Sequence, residues 1–128
     1  MKKKWGIIII VVVLFLVGLT EQIVYRTMLN NTIAEVQEIE EIVLTDFSNQ
    51  TLLLQKIDTI KENWTHREQI LCTFSNHKEI QDVGISIVKL KNATENNDYE
   101  HAKENVDLII FHLIGYSHIY GTNFQNIF

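Results

Sequence analysis

At 128 residues the chain suits one domain, and once an apolar N-terminus is set aside about a hundred residues remain for one modest core without staples. The net charge of −5 becomes −8 when Lys2, Lys3 and Lys4 are left out, and so acidic a body repels phosphate backbones, which excludes nucleic acid as a partner. The lone cysteine, Cys72, excludes an internal disulfide, a CxxC zinc site and an iron–sulfur cluster.

From Gly6 to Thr20 the chain reads GIIIIVVVLFLVGLT, without a charge. Such a run partitions into lipid, so residues 6–20 are expected to contact the bilayer. The run is short for a span, but Trp5 and Tyr25 lie roughly 30 Å apart along a helix and suit the two interfaces. Lys2 to Lys4 can snorkel at one end, and Glu21 marks the other. Three lysines precede the run and Arg26 alone closely follows it, so the N-terminus is expected in the cytoplasm and the rest outside. A cleaved signal peptide would need small residues at its cleavage site, and Gly18-Leu19-Thr20 is a poor match. The expected division is a tail and anchor at 1–22 and an extracytoplasmic domain at 23–128.

Beyond the membrane, Leu29, Ile33, Val36, Val43 and Phe47 recur at helical spacing, in a helix continuous with the span. Glu35, Glu38, Glu40 and Glu41 form an acidic face that reads as a solvated helix surface. Ser48-Asn49-Gln50-Thr51 predicts a turn. A second stripe follows at Leu53, Ile57, Ile60, Trp64, Leu71 and Phe74. Asn76, three before Glu79, has the spacing of a helix cap. The third helix then carries Ile80, Val83, Ile87 and Leu90 on one face, despite Gly84. Asn92 to Asn96 reads as a polar linker, and Asn97 with Glu100 repeats the cap-like pair. The fourth stripe is Ala102, Val106, Ile109, Ile110 and Leu113, with Gly115 and Gly121 marking the expected end. Four such helices bury their stripes only together, so the predicted fold is all-α: an N-terminal transmembrane helix followed by an up-and-down bundle of about four helices.

Short matches run through the second half: Trp64 near a helix end, His77-Lys78-Glu79-Ile80, IVKLK at 87–91, Asn97-Asp98-Tyr99-Glu100-His101-Ala102, Phe111-His112-Leu113 and the terminal Asn126-Ile127-Phe128. In these the chain resembles an uncharacterised family of short, single-span bacterial membrane proteins catalogued only as a domain of unknown function. Residues 23–55 match by pattern alone. The resemblance implies a bacterial setting, this topology, and company with another, multi-span membrane protein; it implies no activity.

The residues offer no catalytic constellation. None of the five histidines forms HExxH or an i,i+4 pair, and no serine nucleophile motif or glycine-rich phosphate loop occurs. His77 and His112 could meet across two helices, with Glu79 to complete a metal site, but packing or capping is the expected role. Trp64 is expected in the core rather than as a ligand platform, and Cys72 is expected to be buried. No catalytic, cofactor or metal residue is therefore assigned. With about four residues before the span, signalling through a cytoplasmic domain is not expected. The favoured reading is a membrane-anchored, non-enzymatic interaction module, an accessory subunit of another membrane protein. The alternative is an extracytoplasmic domain that binds a small ligand or a metal, which needs a pocket with converging polar groups.

Overall fold

No proline interrupts the first third of the chain, and Lys2–Thr45 forms one helix, α1, of 44 residues. At 1.5 Å per residue it is roughly 66 Å long, more than twice the hydrocarbon thickness of a bilayer. The computed structural model describes residues 1–73 and 77–125, with side chains through His118. The later helices are α2 (Gln50–Leu71), α3 (His77–Glu95) and α4 (Tyr99–Gln125), and no strand occurs among the described residues. Each helix packs on its two neighbours in a ring, α1 on α2 and α4, and α3 on α2 and α4. Among the described residues the diagonal pairs do not meet. This is the predicted all-α, up-and-down bundle.

Burial divides α1 in two. From Met1 to Gly18 every side chain is exposed, although this stretch is the most apolar in the chain. From Tyr25 on, one face is buried through Leu29, Thr32, Val36, Ile39 and Val43. The apolar half is a helix long and apolar enough to cross a membrane. The buried half meets Leu53, Ile57, Ile60, Trp64 and Leu71 of α2, and the core continues through Ile80, Val83, Ile87 and Leu90 of α3. Ala102, Val106, Ile109 and Leu113 complete it from α4, with Ile110 only half-buried. Each fully buried Leu, Ile or Val contributes on the order of 1.5–3 kcal/mol, so these stripes drive assembly. Phe74 and the Asn76 cap lie outside the described residues.

Local ends differ from the sequence reading in four places. The first turn is Asp46–Asn49, and Gln50 and Thr51 already belong to α2. The reason is Asn49, whose side chain accepts from the Leu52 N–H (3.4 Å) and caps the helix there. Asn92 to Glu95 is not a linker but the last turn of α3, with Ala93 and Thr94 buried. The Thr94 hydroxyl is satisfied by the Leu90 carbonyl at 2.9 Å, so a polar residue costs nothing there. Asn97 stops the helix instead of opening the next one. It sits at φ 56, and the Asn97 N–H reaches Thr94 O while the Asp98 N–H reaches Ala93 O. That is a Schellman motif with asparagine in the left-handed position. Finally, neither Gly115 nor Gly121 ends α4, which continues to Gln125. A helical glycine costs about 1 kcal/mol, and burial of Leu113 and Tyr116 on either side of Gly115 outweighs it.

The two connections at one end of the bundle are tied together. Phe47 meets Tyr99 edge to face with ring centroids 5.4 Å apart, and Gln50 Nε2 donates to Asn97 Oδ1 at 2.9 Å. Asp98 is the true N-cap of α4: its Oδ1 accepts from the His101 N–H at 3.2 Å, and its Oδ2 lies 2.7 Å from His101 Nδ1. The backbone N–H of His101, and then its imidazole, hold the Asp98 carboxyl below the usual carboxylate range. A carboxyl that titrates lower folded than unfolded stabilises fully above its unfolded value and loses that contribution as pH falls through the folded one. Asp98→Ala should therefore lower the melting temperature of the detergent-solubilised chain at neutral pH. The gap from wild type should begin to narrow below about pH 4, where the unfolded carboxyl takes up its proton, and close as the pH falls through the lower, folded value. A gap that is constant from neutral to acidic pH would show that the cap is not ionic.

Candidate functional site

Where the exposed half of α1 gives way to the bundle, the molecule has an apolar groove. Leu16, Val17, Thr20, Glu21 and Val24 recur three or four apart on one face of α1, and Ile70 at the end of α2 overhangs them. Together with Val13 and Tyr25 they enclose about 420 Å³. Thr20 is satisfied within the helix, its hydroxyl donating to Leu16 O at 2.8 Å. Glu21 is half-buried, and among the described residues it forms no ion pair. The groove thus offers an apolar trough with one anionic group at its rim.

Tyr25 differs from its expected role. It is 5 % exposed, and its hydroxyl donates to the carbonyl of Leu71, the last residue of α2, at 3.2 Å. The phenol satisfies an end carbonyl that α2 cannot satisfy itself. It is therefore a joint between α1 and α2, not an aromatic anchor turned to lipid, and the bundle begins within about one helical turn of Glu21.

The acidic face of α1 also departs from expectation. Glu35 is held by Arg67 of α2 in a two-pronged contact, Nη2 to Oε1 at 2.9 Å and Nη1 to Oε2 at 3.1 Å. Arg67 Nη1 also donates to the buried Thr32 hydroxyl at 2.8 Å, and Lys56 pairs with Glu38 at 2.9 Å. Two of the four glutamates are thus bridges between helices. The partly buried, bidentate Arg67–Glu35 pair is of the kind that contributes more than an exposed one.

A second hollow, of about 550 Å³, lies between α2 and α3. Trp64 forms its floor, with Glu68, Gly84, Ile85, Val88 and Lys89 around it. Trp64 is 2 % exposed and in the core, as its stripe predicts. Gly84 lies against the indole: a Cβ there would sit 3.5 Å from Trp64 Nε1, in ordinary van der Waals contact. Among the described residues that nitrogen is buried without a hydrogen-bond partner. Sequence periodicity placed the ring, but an orphaned donor depends on the neighbouring helix and has no local signal.

The histidines are dispersed. His77 opens α3 and is exposed, while His112 stacks on Tyr116 with centroids 6.3 Å apart and meets Phe111 at 5.8 Å. Among the described residues no group of three or more His, Cys, Asp or Glu is placed to hold a metal. Cys72 is half-buried at the end of α2, and burial, followed by the charge of Glu68, pushes its thiol above the ordinary value. It is therefore protonated and a poor nucleophile at neutral pH.

The family model of a domain of unknown function, DUF4363, matches residues 24–127. The chain belongs to this family. The DUF4363 match starts one residue before Tyr25, the first buried residue of α1, so the family's domain coincides with the bundle and leaves the exposed apolar half of α1 outside it. No curated protein and no solved structure matches the chain.

Trp64 gives this part of the DUF4363 bundle a direct test. Trp64→Ala should cost about 3–5 kcal/mol in chemical denaturation of the detergent-solubilised chain. Trp64→Phe, which keeps a ring and has no indole hydrogen bond to lose, should cost well under that. Equal losses in the two variants would mean that the indole N–H holds a bound group in the hollow.

Proposed function

We propose that this protein is a single-pass anchor of a bacterial cell membrane, with its N-terminus in the cytoplasm and the bundle outside. It acts as a non-enzymatic interaction module, an accessory subunit of another membrane protein. The observation that carries this reading is the groove at the top of the span, apolar along Leu16, Val17 and Val24 and anionic at Glu21. Lipid offers no hydrophobic drive between helices, so a lateral contact needs close packing and a polar pairing. The groove supplies the first, and Glu21 supplies the second for a Lys or Arg of the partner. The two glycines of the span, Gly6 and Gly18, have open space around them and no GxxxG spacing, which gives self-association no matching support.

The alternative, a small-ligand domain, draws on the hollow over Trp64 and its unpartnered N–H. Lys61, Glu68 and Lys89 stand around the hollow, yet none of them accepts from or pairs with the Trp64 N–H, and its walls expose mainly apolar surface through Ile85 and Val88, 52 % and 42 % exposed. The groove is therefore the better site.

Photoreactive side chains at Val17, Thr20 and Val24 should give one specific adduct in native membranes. Val12 and Ile23, which do not line the groove, should give none, and Glu21→Lys should weaken the adduct by reversing the charge. If all positions yield only monomer while a deletion phenotype is rescued by a secreted bundle, the lateral partner does not exist.

A further inference from the structure

The outer face of α4 changes character along its length. Glu100, Glu104 and Asp107 recur three or four apart in its first half, all exposed, and among the described residues none of them forms an ion pair. Leu108, Phe111 and Ile114 continue the face, and from Leu108 to Phe128 the chain has no Asp, Glu, Lys or Arg. Phe111 is 72 % exposed, more than any apolar residue of α1. It nevertheless stands clear of the membrane boundary. α1 and α4 run antiparallel, and counted from the Phe47–Tyr99 contact Phe111 is level with Glu35, roughly 21 Å along α1 from Glu21. Lipid therefore does not cover it.

The hollow between α2 and α3 carries the complementary set. Lys61 and Lys89 stand on its rim, exposed and, among the described residues, in no ion pair. Ile85 and Val88 expose apolar surface beside them, over the floor formed by Trp64. Depth matches as well as chemistry. Asn97 joins α3 to α4 and accepts from Gln50 at the start of α2, so distances down all three helices count from one level. Asp107 lies roughly 15 Å down α4, and Lys89 roughly 12 Å down α3. Leu108 and Val88 follow at roughly 17 and 14 Å. Phe111, at roughly 21 Å, reaches the level of Ile85 at roughly 18 Å and of Trp64 at roughly 21 Å. Glu68, the acid of the hollow, is roughly 12 Å below Asp107 and does not oppose it.

We propose that the outer face of α4 docks into the α2–α3 hollow of a second copy of this chain in the same membrane. Phe111 enters the hollow beside the neighbour's Ile85 and Val88, and Asp107 pairs with the neighbour's Lys89. The contact is head to tail, one face against a different one, and it runs through the bundle rather than the span. Copies anchored side by side are related by rotation about the membrane normal, which leaves every height unchanged, so residues at matching depth meet. That equality of heights rests on the reading of α1 as a membrane span. A two-fold contact of α4 on its own copy is disfavoured, because parallel helices would set Glu104 and Asp107 against themselves.

The test uses the full chain with Cys72→Ser, as two differently tagged forms coexpressed in one membrane. Ile114→Cys in one form and Gln81→Cys in the other place exposed thiols at roughly 26 and 24 Å, on the rims of the two faces, and leave Phe111, Asp107 and Lys89 in place. A short bismaleimide should link the mixed pair and neither form alone. Phe111→Ser in the Ile114→Cys form, at a position too exposed to matter for folding, should cut the yield several-fold, and so should Asp107→Lys. Lys89→Glu in the Gln81→Cys form should restore the yield lost to Asp107→Lys. A link that none of these substitutions moves would be chance collision and would overturn the contact. So would a dimer of the Ile114→Cys form alone, which would show a symmetric arrangement. Monomer from the mixed pair, in membranes that retain the chain through alkaline carbonate, would overturn the contact and leave the anchor standing. Release of the chain by carbonate would overturn the anchor, and with it the equal heights on which the contact rests.

Discussion

A helix inside lipid has no water to satisfy its backbone, so it cannot break until it has left the hydrocarbon. In this chain it does not break there either: α1 passes from its fully exposed apolar half into the bundle without a change of secondary structure. That continuity fixes the rest. The residue at which α1 acquires a buried face, Tyr25, decides where the bundle starts, and the Tyr25 hydroxyl on Leu71 O sets the level at which α2 ends. The α2–α3 connection follows from that level, and α4, packed along α1, returns towards the same boundary. A bundle on a flexible stalk would share the stripes but none of these registers.

Polar groups between the helices add specificity to this frame. Arg67 on Glu35 and Thr32, Lys56 on Glu38, and Lys91 on Asp58 at 2.7 Å each join neighbouring helices. Asp58 raises the Lys91 ammonium above its ordinary value, so this bridge stays charged across the physiological range. Exposed pairs add little energy, but opposite charges in register disfavour a slipped packing of smooth apolar stripes. Among the described residues the one buried side-chain nitrogen or oxygen without a partner is Trp64 Nε1, which lies against Gly84. A buried N–H without a partner costs about 1–3 kcal/mol, which the large buried area of the indole offsets.

The fold was legible because its information is local and periodic. Leu53, Ile57, Ile60 and Trp64, or Ile80, Val83, Ile87 and Leu90, announce a buried helix face at three- and four-residue spacing. What failed to show depends on a neighbour in space. Tyr25 resembles an interfacial anchor until α2 arrives to take its hydroxyl. Glu35 resembles solvated charge until Arg67, on another helix, closes on it. Asn97 resembles a cap, but its left-handed backbone is chosen by the chain reversal that follows. For the boundary groove, Glu21 was visible as the lone acid beside the span. The trough below it was not, since it exists only because Ile70 overhangs α1.

The central claim is that the exposed apolar half of α1 and the bundle share one unbroken helix. Spin labels at Leu14 and Asn31, both exposed, with Cys72→Ser to remove the native thiol, bracket the boundary. Pulsed electron–electron distance measurement on the full chain in a bilayer should give a single narrow distribution, set by a backbone separation of about 25 Å for an intact helix. A broad distribution, or one several ångströms shorter, would reveal a hinge at the boundary and contradict the account.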